Sequence, residues 1–234
     1  MPKFLFVKAF YSYGVRRLRG KAFVALLSLL MAIPLTATAQ SRAIMAFGDS
    51  LTAGYGLLDH EGLVPQLRDW LAENGQDVRV INAGVSGDTT AGGLSRIEWS
   101  LTPDIGGIMV TLGGNDMLRG IDPAAARANL RGILQVAAEN GLEILVVGMP
   151  GPVNYGPAYR QEFEAMYPEL AQEFGALFAA NFFAGLGEGT PADLQPLFQS
   201  DRIHPNAEGV GMIVQDLGPW VMQLIQRVEA QGGS

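Results

Sequence analysis

Short apolar stretches alternate with longer segments of helical periodicity through most of this chain. Five of the apolar stretches predict buried strands: Ala43–Phe47, Val78–Ile81, Ile105–Leu112, Glu143–Met149 and Leu177–Phe183. Five segments with apolar residues at helical spacing predict helices: Leu63–Leu71, Thr89–Leu101, Asp122–Gly141, Tyr159–Phe174 and Ala207–Val228. Because strands and helices alternate, we predict an α/β fold with a parallel sheet wrapped by helices. The last helix contains Gly218-Pro219, where we expect a break because proline interrupts helical hydrogen bonding.

The first 39 residues differ from the rest of the chain in charge. Met1–Ala39 contains six of the 16 Lys and Arg residues and none of the 23 Asp and Glu residues. This basic start, the apolar run Ala22–Leu35 and the small residues of Ala37-Thr38-Ala39 are typical of an export signal cleaved before Gln40. An uncleaved membrane anchor is the alternative, but the run is shorter than the roughly 20 residues that span a bilayer. We therefore expect a signal peptide over residues 1–39, one domain over residues 40–234, and a periplasmic or secreted protein.

The composition excludes several classes of function. Residues 40–234 contain ten Arg, no Lys and all 23 acidic residues, which gives a formal net charge of −13. Such a body binds nucleic acids and anionic membrane surfaces poorly, because both require clustered cations. The chain has no Cys, and therefore no disulfide, thiolate nucleophile or thiolate metal ligand. With His60 and His204 as its two imidazoles, we expect neither a metal site nor another cofactor.

Four polar blocks follow predicted strands, and the first three contain glycine. In a parallel α/β sheet, ligands bind beyond the carboxyl ends of the strands, so these positions carry the candidate chemistry. The blocks are Gly48-Asp49-Ser50-Leu51, Gly84-Val85-Ser86-Gly87-Asp88-Thr89, Gly113-Gly114-Asn115-Asp116 and Asp201-Arg202-Ile203-His204-Pro205. We expect Asp49 and Asp88 to brace the backbone of their loops.

Residues of these blocks form a candidate set for nucleophilic catalysis. The Ser50 hydroxyl lies between a predicted strand and a helix, and it needs a neighbouring base to become a nucleophile. His204 is the better candidate for that base, and Asp201 lies close enough in a turn to hold its second ring nitrogen. A developing oxyanion could be bound by the backbone N–H groups of Ser50 and Gly87 and by the side-chain amide of Asn115.

Each block also has a purely structural interpretation. Gly-Asp-Ser is a common turn, Gly87 could be a turn glycine, and Asn115 could cap the next helix. Asp201 and His204 could form a surface turn with an incidental hydrogen bond. We favour catalysis because the blocks occur together and in order at consecutive strand ends.

The four blocks resemble, in the same order, those of the GDSL or SGNH hydrolase family. The similarity is closest to the subgroup of thioesterase I, protease I and lysophospholipase L1 and to the related arylesterases, and it covers nearly all of Ile44–Leu224. It implies a flavodoxin-like three-layer α/β/α sandwich with a five-stranded parallel sheet. The family's site residues carry over without substitution: catalytic Ser50, Asp201 and His204, and oxyanion-hole residues Ser50, Gly87 and Asn115.

This resemblance implies a serine hydrolase that cleaves carboxylic esters and thioesters through an acyl-enzyme on Ser50. Aryl esters, acyl-CoA and lysophospholipids are the implied small-molecule substrates. The resemblance implies no cofactor, no nucleic-acid partner and no lasting membrane anchor, and we expect a monomer.

Two loop segments, Pro150–Tyr159 and Ala184–Ser200, are predicted to form an acyl-binding wall. Long loops inside compact domains are often functional, and the apolar residues of these two suit a hydrocarbon chain. The candidate wall residues are Tyr155, Leu186, Leu197 and Phe198. Alternatively, these side chains only hold the loops on the core.

Three other functions share parts of this pattern. A carbohydrate acetylesterase of the same family would use the same catalytic residues, and deacetylation of xylan without cleavage of a decanoyl ester would identify it. A nucleotide-binding module could use Gly84–Gly93 as a phosphate loop, but this stretch matches neither Gly-x-Gly-x-x-Gly nor a lysine-bearing P-loop. A non-catalytic periplasmic binder could retain the fold, and a fluorophosphonate probe that fails to label Ser50 would identify it.

Overall fold

Five parallel strands form the sheet at the centre of the structure. The computed structural model of the protein describes residues 42–232, so the export signal predicted over Met1–Ala39 lies outside the described residues. The strands are β1 (Ala43–Gly48), β2 (Val80–Gly84), β3 (Ile105–Thr111), β4 (Glu143–Val147) and β5 (Leu177–Ala179). They pair in the order β2-β1-β3-β4-β5, which is the doubly wound order of flavodoxin-like folds. The predicted five-stranded parallel sheet is confirmed.

Helices cover both faces of this sheet. Among the described residues they are α1 (Ser50–Ala53), α2 (Leu63–Glu73), α3 (Thr90–Ser100), α4 (Gly114–Leu118), α5 (Pro123–Glu139), α6 (Pro157–Glu173), α7 (Pro191–Leu194) and α8 (Ala207–Gly232). α2 packs against α8, whereas α5 packs against both α3 and α6. Both groups contact β4, and right-handed crossovers in this strand order place them on opposite faces. The arrangement is the predicted three-layer α/β/α sandwich.

The middle strands form the apolar core and position the loops that follow them. All six residues of β1 and all seven of β3 are buried, as expected for a sheet covered on both faces. β1 lies between β2 and β3, so the strand order reverses beside it. Gly48 at the end of β1 is paired with Gly84 of β2 and with Thr111 of β3. The loops after these three strands therefore surround a crevice of the kind in which α/β folds bind ligands.

The second strand begins and ends later than predicted. The apolar run predicted a strand over Val78–Ile81, but the observed strand covers Val80–Gly84, since its pairing with β1 continues to the end of both strands. β2 lies at the edge of the sheet and is only partly buried. Polar Asn82 is therefore tolerated within it, and apolarity alone does not locate its end.

The fifth strand is shorter than the predicted range Leu177–Phe183. β5 ends at Ala179, whose carbonyl oxygen accepts a hydrogen bond from the Gly148 N–H. The chain then turns, and the Phe182 N–H donates to the Gly148 carbonyl oxygen. Phe182 is buried without belonging to the strand, and for this reason its apolarity lengthened the predicted strand.

The break predicted near Gly218-Pro219 is wrong, because α8 is continuous over Ala207–Gly232. Proline disfavours the helical conformation of the preceding residue, in part through contact with that residue's Cβ. Gly218 has no Cβ, and the Trp70 ring occupies the space, with ring carbons 2.5 Å from where a Cβ would lie. Gly218 therefore admits Pro219 and lets α2 approach α8 closely. Within residues 42–232, none of the helices has both the length and the apolarity that a membrane crossing needs.

Candidate active site

Ser50 lies in a tight turn between β1 and α1. Asp49 caps α1, and its Oδ1 accepts a hydrogen bond from the Leu51 N–H at 3.0 Å. Gly48 makes the close packing of the turn possible, because a Cβ there would lie 2.1 Å from the hydroxyl oxygens of two threonines. Ser50 is 9% exposed as the first residue of the helix, a position where the backbone N–H has no partner within the helix.

Ser50, His204 and Asp201 form one hydrogen-bonded chain. The Ser50 Oγ lies 2.8 Å from the His204 Nε2, and the His204 Nδ1 lies 2.7 Å from the Asp201 Oδ2. Asp201 Oδ1 also accepts hydrogen bonds from the backbone N–H groups of Ile203 and His204, at 2.9 and 3.0 Å. These hydrogen bonds, chiefly the one with the His204 ring, lower the pKa of Asp201 to about 2. Asp201 is therefore ionised at neutral pH, beside the imidazole.

The His204 ring packs against Tyr55, which was not among the predicted site residues. The two ring centroids are 4.8 Å apart and the rings are tilted by 41°. Gln199 joins the two segments, since its Nε2 donates to the Tyr55 carbonyl oxygen at 2.8 Å and its backbone N–H donates to the His204 carbonyl oxygen at 2.8 Å. The available signal in the sequence was the run Gly54-Tyr55-Gly56 directly after the serine turn.

Gly87 and Asn115 line the same cavity as Ser50 and His204. Gly87 has a φ of 83°, which glycine adopts without strain. Its carbonyl oxygen accepts a hydrogen bond from the Arg119 Nη2 at 2.9 Å. Asn115 lies in the first turn of α4, shortly after β3. The structure thus brings the three predicted oxyanion-hole residues to one cavity.

The Asp49 carboxylate joins the serine turn to Asn115. Its Oδ2 accepts a hydrogen bond from the Asn115 Nδ2 at 3.3 Å, while its Oδ1 caps α1. The residue is 1% exposed. This burial raises the pKa of Asp49 to about 6, although the hydrogen bonds from Leu51 and Asn115 act in the opposite direction. Asp49 braces the loop backbone as predicted, and its contact with the Asn115 amide was not predicted.

A second brace holds the carboxyl ends of β1 and β2. The Arg96 guanidinium donates to the carbonyl oxygens of Gly48 and Ala83, at 2.9 and 3.0 Å. It also pairs with Asp88, with Nε and Oδ2 2.6 Å apart, and its Cζ lies 4.0 Å from the centroid of the Phe47 ring. Asp88 therefore supports its loop through Arg96, a residue that belongs to none of the four blocks.

A third brace ties the loop after β2 to the loop after β3. Asp116 is buried, and its two oxygens accept hydrogen bonds from the Thr90 N–H at 2.8 Å and the Thr90 hydroxyl at 2.6 Å. The Asn129 Nδ2 donates to the same hydroxyl at 3.1 Å. These contacts fix the relative positions of the segments that carry Gly87 and Asn115.

The cavity beside the Ser50 hydroxyl has a volume of about 560 Å³, which lies in the range of small-molecule sites. Most of its wall is apolar. The apolar side chains come from loops after several strands: Leu51, Tyr55, Met117, Leu118, Met149, Phe183, Phe198 and Ile203. Such a wall suits a hydrocarbon chain better than a sugar, whose hydroxyl groups would lose their hydrogen bonds to water there.

Of the four predicted acyl-wall residues, the structure places Phe198 at the cavity. Leu186 is instead buried in the core at 4% exposure. Tyr155 packs against Tyr159, with ring centroids 5.0 Å apart, and Leu197 packs against the core. The prediction for Leu186 is therefore wrong, since its side chain packs in the core as the alternative interpretation stated. Tyr155 and Leu197 are not among the residues that line this cavity. Apolarity alone did not separate residues that face the cavity from residues that face the core.

The second histidine lies away from this cavity. His60 is exposed in a single 3₁₀ turn, Asp59–Glu61, before α2. Among residues 42–232, no three His, Asp or Glu side chains cluster in the way that a metal site requires. The titratable residues that line the cavity are Asp49, Tyr55, Arg202 and His204.

Comparison with known proteins identifies the family. The GDSL-like lipase/acylhydrolase family matches the chain over residues 46–211. Esterase TesA of Pseudomonas aeruginosa is 35% identical over 197 residues, covering 84% of this chain and 96% of TesA. Thioesterase 1/protease 1/lysophospholipase L1 of Escherichia coli K12 is 34% identical over 191 residues, covering 80% of this chain and 85% of that enzyme. Among solved structures, the SGNH-hydrolase family esterase AlinE4 is 44% identical with a TM-score of 0.66, covering 80% of this chain and 98% of AlinE4. The chain therefore belongs to the GDSL-like lipase/acylhydrolase family, as its four blocks predicted, and is an esterase.

Proposed function

We propose that the protein hydrolyses acyl esters and thioesters through a covalent acyl-enzyme on Ser50. The observation that carries this proposal is the hydrogen-bonded chain from the Ser50 Oγ to the His204 Nε2, at 2.8 Å, and from the His204 Nδ1 to the Asp201 Oδ2, at 2.7 Å. A serine hydroxyl becomes nucleophilic when such a base takes its proton. The carboxylate holds the imidazole in the tautomer that accepts this proton.

Acylation begins when the Ser50 Oγ attacks the carbonyl carbon and its proton passes to the His204 Nε2. The tetrahedral intermediate then collapses, and the bond to the leaving oxygen or sulfur breaks as protonated His204 gives its proton to that atom. The products are a free alcohol or thiol and an ester between Ser50 and the acyl group. Asp201 remains ionised throughout and stabilises the imidazolium.

Water completes the cycle by hydrolysing the acyl-enzyme. His204 takes a proton from the attacking water and returns it to the Ser50 Oγ as the carboxylic acid leaves. In both tetrahedral intermediates, the oxyanion is bound by the backbone N–H groups of Ser50 and Gly87 and by the Asn115 Nδ2. Asp49 supports this arrangement by accepting a hydrogen bond from one N–H of the Asn115 side-chain amide. The second N–H of that amide is left to donate to the oxyanion.

The apolar wall of the cavity supports fatty-acyl groups as the acyl part of the substrate. The relatives are named esterase and thioesterase/lysophospholipase, so the proposed substrates are aryl esters, acyl thioesters and lysophospholipids. A series of p-nitrophenyl esters tests the acyl preference, and we expect kcat/KM to rise from acetyl towards octanoyl as more apolar surface is buried. Activity confined to acetyl, together with deacetylation of xylan, would instead identify a carbohydrate acetylesterase.

Ser50→Ala tests the catalytic assignment. Loss of the nucleophile is expected to lower kcat on p-nitrophenyl butyrate by at least about 10³-fold. Ser95→Ala is the matched control, because Ser95 lies on α3 and its hydroxyl donates to the Gly92 carbonyl oxygen. Wild-type turnover by a folded Ser50→Ala variant would overturn the proposal.

We also propose that residues 1–39 direct export and are removed, leaving residues 40–234 as one periplasmic or secreted domain. The basic start, the apolar run and Ala37-Thr38-Ala39 support this proposal. Intact mass of protein recovered from the periplasm of a producing bacterium tests it, and the expected first residue is Gln40. Full-length protein retained in the membrane fraction would contradict it.

A further inference from the structure

Arg202 adopts a backbone conformation that arginine rarely adopts. Its φ is 61°, the one positive φ outside glycine among the described residues. The surrounding turn imposes this conformation, since Asp201 Oδ1 accepts the N–H groups of both Ile203 and His204. Glycine would occupy such a position without strain. Strained residues that persist at a site are a reason to ask what their side chains do there.

Arg202 is one of the residues that line the cavity beside the Ser50 hydroxyl. Of the other ionisable groups at this cavity, Asp49 is hydrogen-bonded to Asn115, His204 is hydrogen-bonded to Ser50, and Tyr55 packs against the His204 ring. Within residues 42–232, the Arg202 guanidinium has no ion pair and no side-chain hydrogen bond, and it is exposed to solvent. The Arg202 guanidinium is therefore a cation without a partner among the described residues, and it belongs to a residue that lines a mostly apolar cavity.

The position of Arg202 relates it to one part of the substrate. Arg202 precedes His204 by two residues, and in the proposed reaction His204 gives its proton to the departing alcohol or thiol. Arg202 therefore lies near the general acid, where the leaving group departs. The mature domain carries a formal net charge of −13, which on its own repels anionic substrates, and a cation at the cavity offsets that repulsion locally.

We infer that Arg202 is a specificity-determining residue that binds an anionic group, of the phosphate type, on the alcohol or thiol part of the substrate. The inference rests on the proposed function and adds a charge requirement to it. A guanidinium suits this task because its fork of N–H groups matches phosphate oxygens in pairs. Two substrate sources share this chemistry, the phosphates of an acyl-CoA thioester and the glycerophosphate of a lysophospholipid.

The test compares an anionic with a neutral substrate that carries the same acyl chain. We would measure the ratio of kcat/KM for decanoyl-CoA to kcat/KM for p-nitrophenyl decanoate, and the corresponding ratio for decanoyl-lysophosphatidylglycerol and monodecanoylglycerol. Arg202→Gln and Arg202→Gly are expected to lower at least one of these ratios about tenfold, and the ratio that falls identifies the source. Arg202→Lys keeps the charge and should retain most of the ratio. Arg131→Gln is the matched control, because it removes the same charge from α5.

Salt provides a second measurement. Salt screens the overall repulsion in both proteins but the attraction by Arg202 in the wild type alone. Raising the ionic strength is therefore expected to shrink the difference between the wild-type ratio and the Arg202→Gln ratio. Arg202→Gly is expected to fold, because glycine adopts the observed φ without strain. Ratios equal to the wild-type values in both charge-removing variants, or equal losses on anionic and neutral substrates, would overturn the inference. A wild-type protein that does not hydrolyse the neutral ester would overturn the proposed function instead.

Discussion

The side-chain amide of Asn115 donates a hydrogen bond to the buried carboxylate of Asp49, with Nδ2 and Oδ2 3.3 Å apart. This contact joins the turn after β1 to the turn after β3, two strands that pair directly in the sheet. The nucleophile candidate and one proposed oxyanion donor are therefore positioned by a single carboxylate. Its protonation state consequently affects both stability and the orientation of the amide.

Asp49 is expected to make stability depend on pH. Burial raises the pKa of Asp49 to about 6 in the folded protein, against 3.8 as its ordinary value. The folded state thus holds a proton that the unfolded state has lost, and the associated stability is full below pH ~4 and is lost as the pH rises through about 6. Asp49→Asn lacks this titration, so its free energy of unfolding should fall by less than that of the wild type between pH 4 and 7.5. The difference between the two falls should be on the order of 2–3 kcal/mol.

Urea denaturation at several pH values measures this difference. The comparison between wild type and Asp49→Asn cancels the contributions of the other titrating groups, provided that both proteins unfold in two states. Parallel stability curves for the two proteins across this range would contradict the assignment of the titration to Asp49.

Asn115→Ala should impair catalysis more than substrate binding. Loss of one oxyanion donor in serine hydrolases lowers kcat by about 10²–10³-fold, because the donor acts mainly on the transition state. We expect a loss of this size in kcat on p-nitrophenyl butyrate and a much smaller change in KM. Asn140→Ala at the exposed end of α5 provides a matched asparagine control. A loss expressed mainly in KM would argue against the oxyanion role.

Asp201→Asn should reduce turnover without unfolding the protein. The neutral amide no longer stabilises the imidazolium and favours the wrong imidazole tautomer, an effect of about 10⁴-fold in kcat in a comparable triad. Because the pKa of Asp201 is lowered to about 2, the wild-type carboxylate stays ionised from pH 4 upwards, and any acid limb of the pH–rate profile above pH 4 is expected to belong to another group. Assays of both proteins from pH 4 to 9 measure the loss of turnover and any acid limb, and near-wild-type kcat in Asp201→Asn would contradict the expected role of Asp201.

Arg96→Gln should destabilise the protein far more than Arg131→Gln does. Arg96 and Asp88 are 19% and 14% exposed at their side chains, whereas Arg131 and Glu173 are 41% and 40% exposed. Removal of one partner from a mostly buried, hydrogen-bonded pair typically lowers the free energy of unfolding by about 3–5 kcal/mol, and an exposed pair contributes up to about 1 kcal/mol. Urea denaturation of the two variants at pH 7 measures the contrast, and equal losses would show that Arg96 is not a brace.

The central strands and the four blocks were predictable for a physical reason. β1 and β3 are buried on both faces, so their sequences are continuously apolar, and the polar blocks that follow them mark one edge of the sheet. The start of α5 was equally clear, since Asp122 caps it through a hydrogen bond between Oδ1 and the Ala124 N–H at 2.9 Å. Local sequence is informative where one local interaction decides the structure.

The wall of the cavity was less predictable because tertiary contacts decide it. Leu186 and Phe198 belong to one predicted loop and are both apolar, yet Leu186 is buried in the core and Phe198 lines the cavity. Likewise, Arg96 belongs to no recognisable sequence motif. That it holds β1 and β2 together is evident only from its hydrogen bonds to carbonyl oxygens at the ends of these two strands. The conformation of Arg202 is similarly invisible in the sequence, because φ depends on the turn that Asp201 closes.

Labelling with a fluorophosphonate probe, read out by intact mass and peptide mapping, tests the proposed acyl-enzyme most directly. The probe reacts with a serine that is activated by a neighbouring base, as the 2.8 Å contact between Ser50 and His204 suggests. We predict one adduct per molecule, located on Ser50, absent from Ser50→Ala and formed far more slowly in His204→Ala. A folded wild-type protein that remains unlabelled, or that is labelled on a residue other than Ser50, would contradict the proposal.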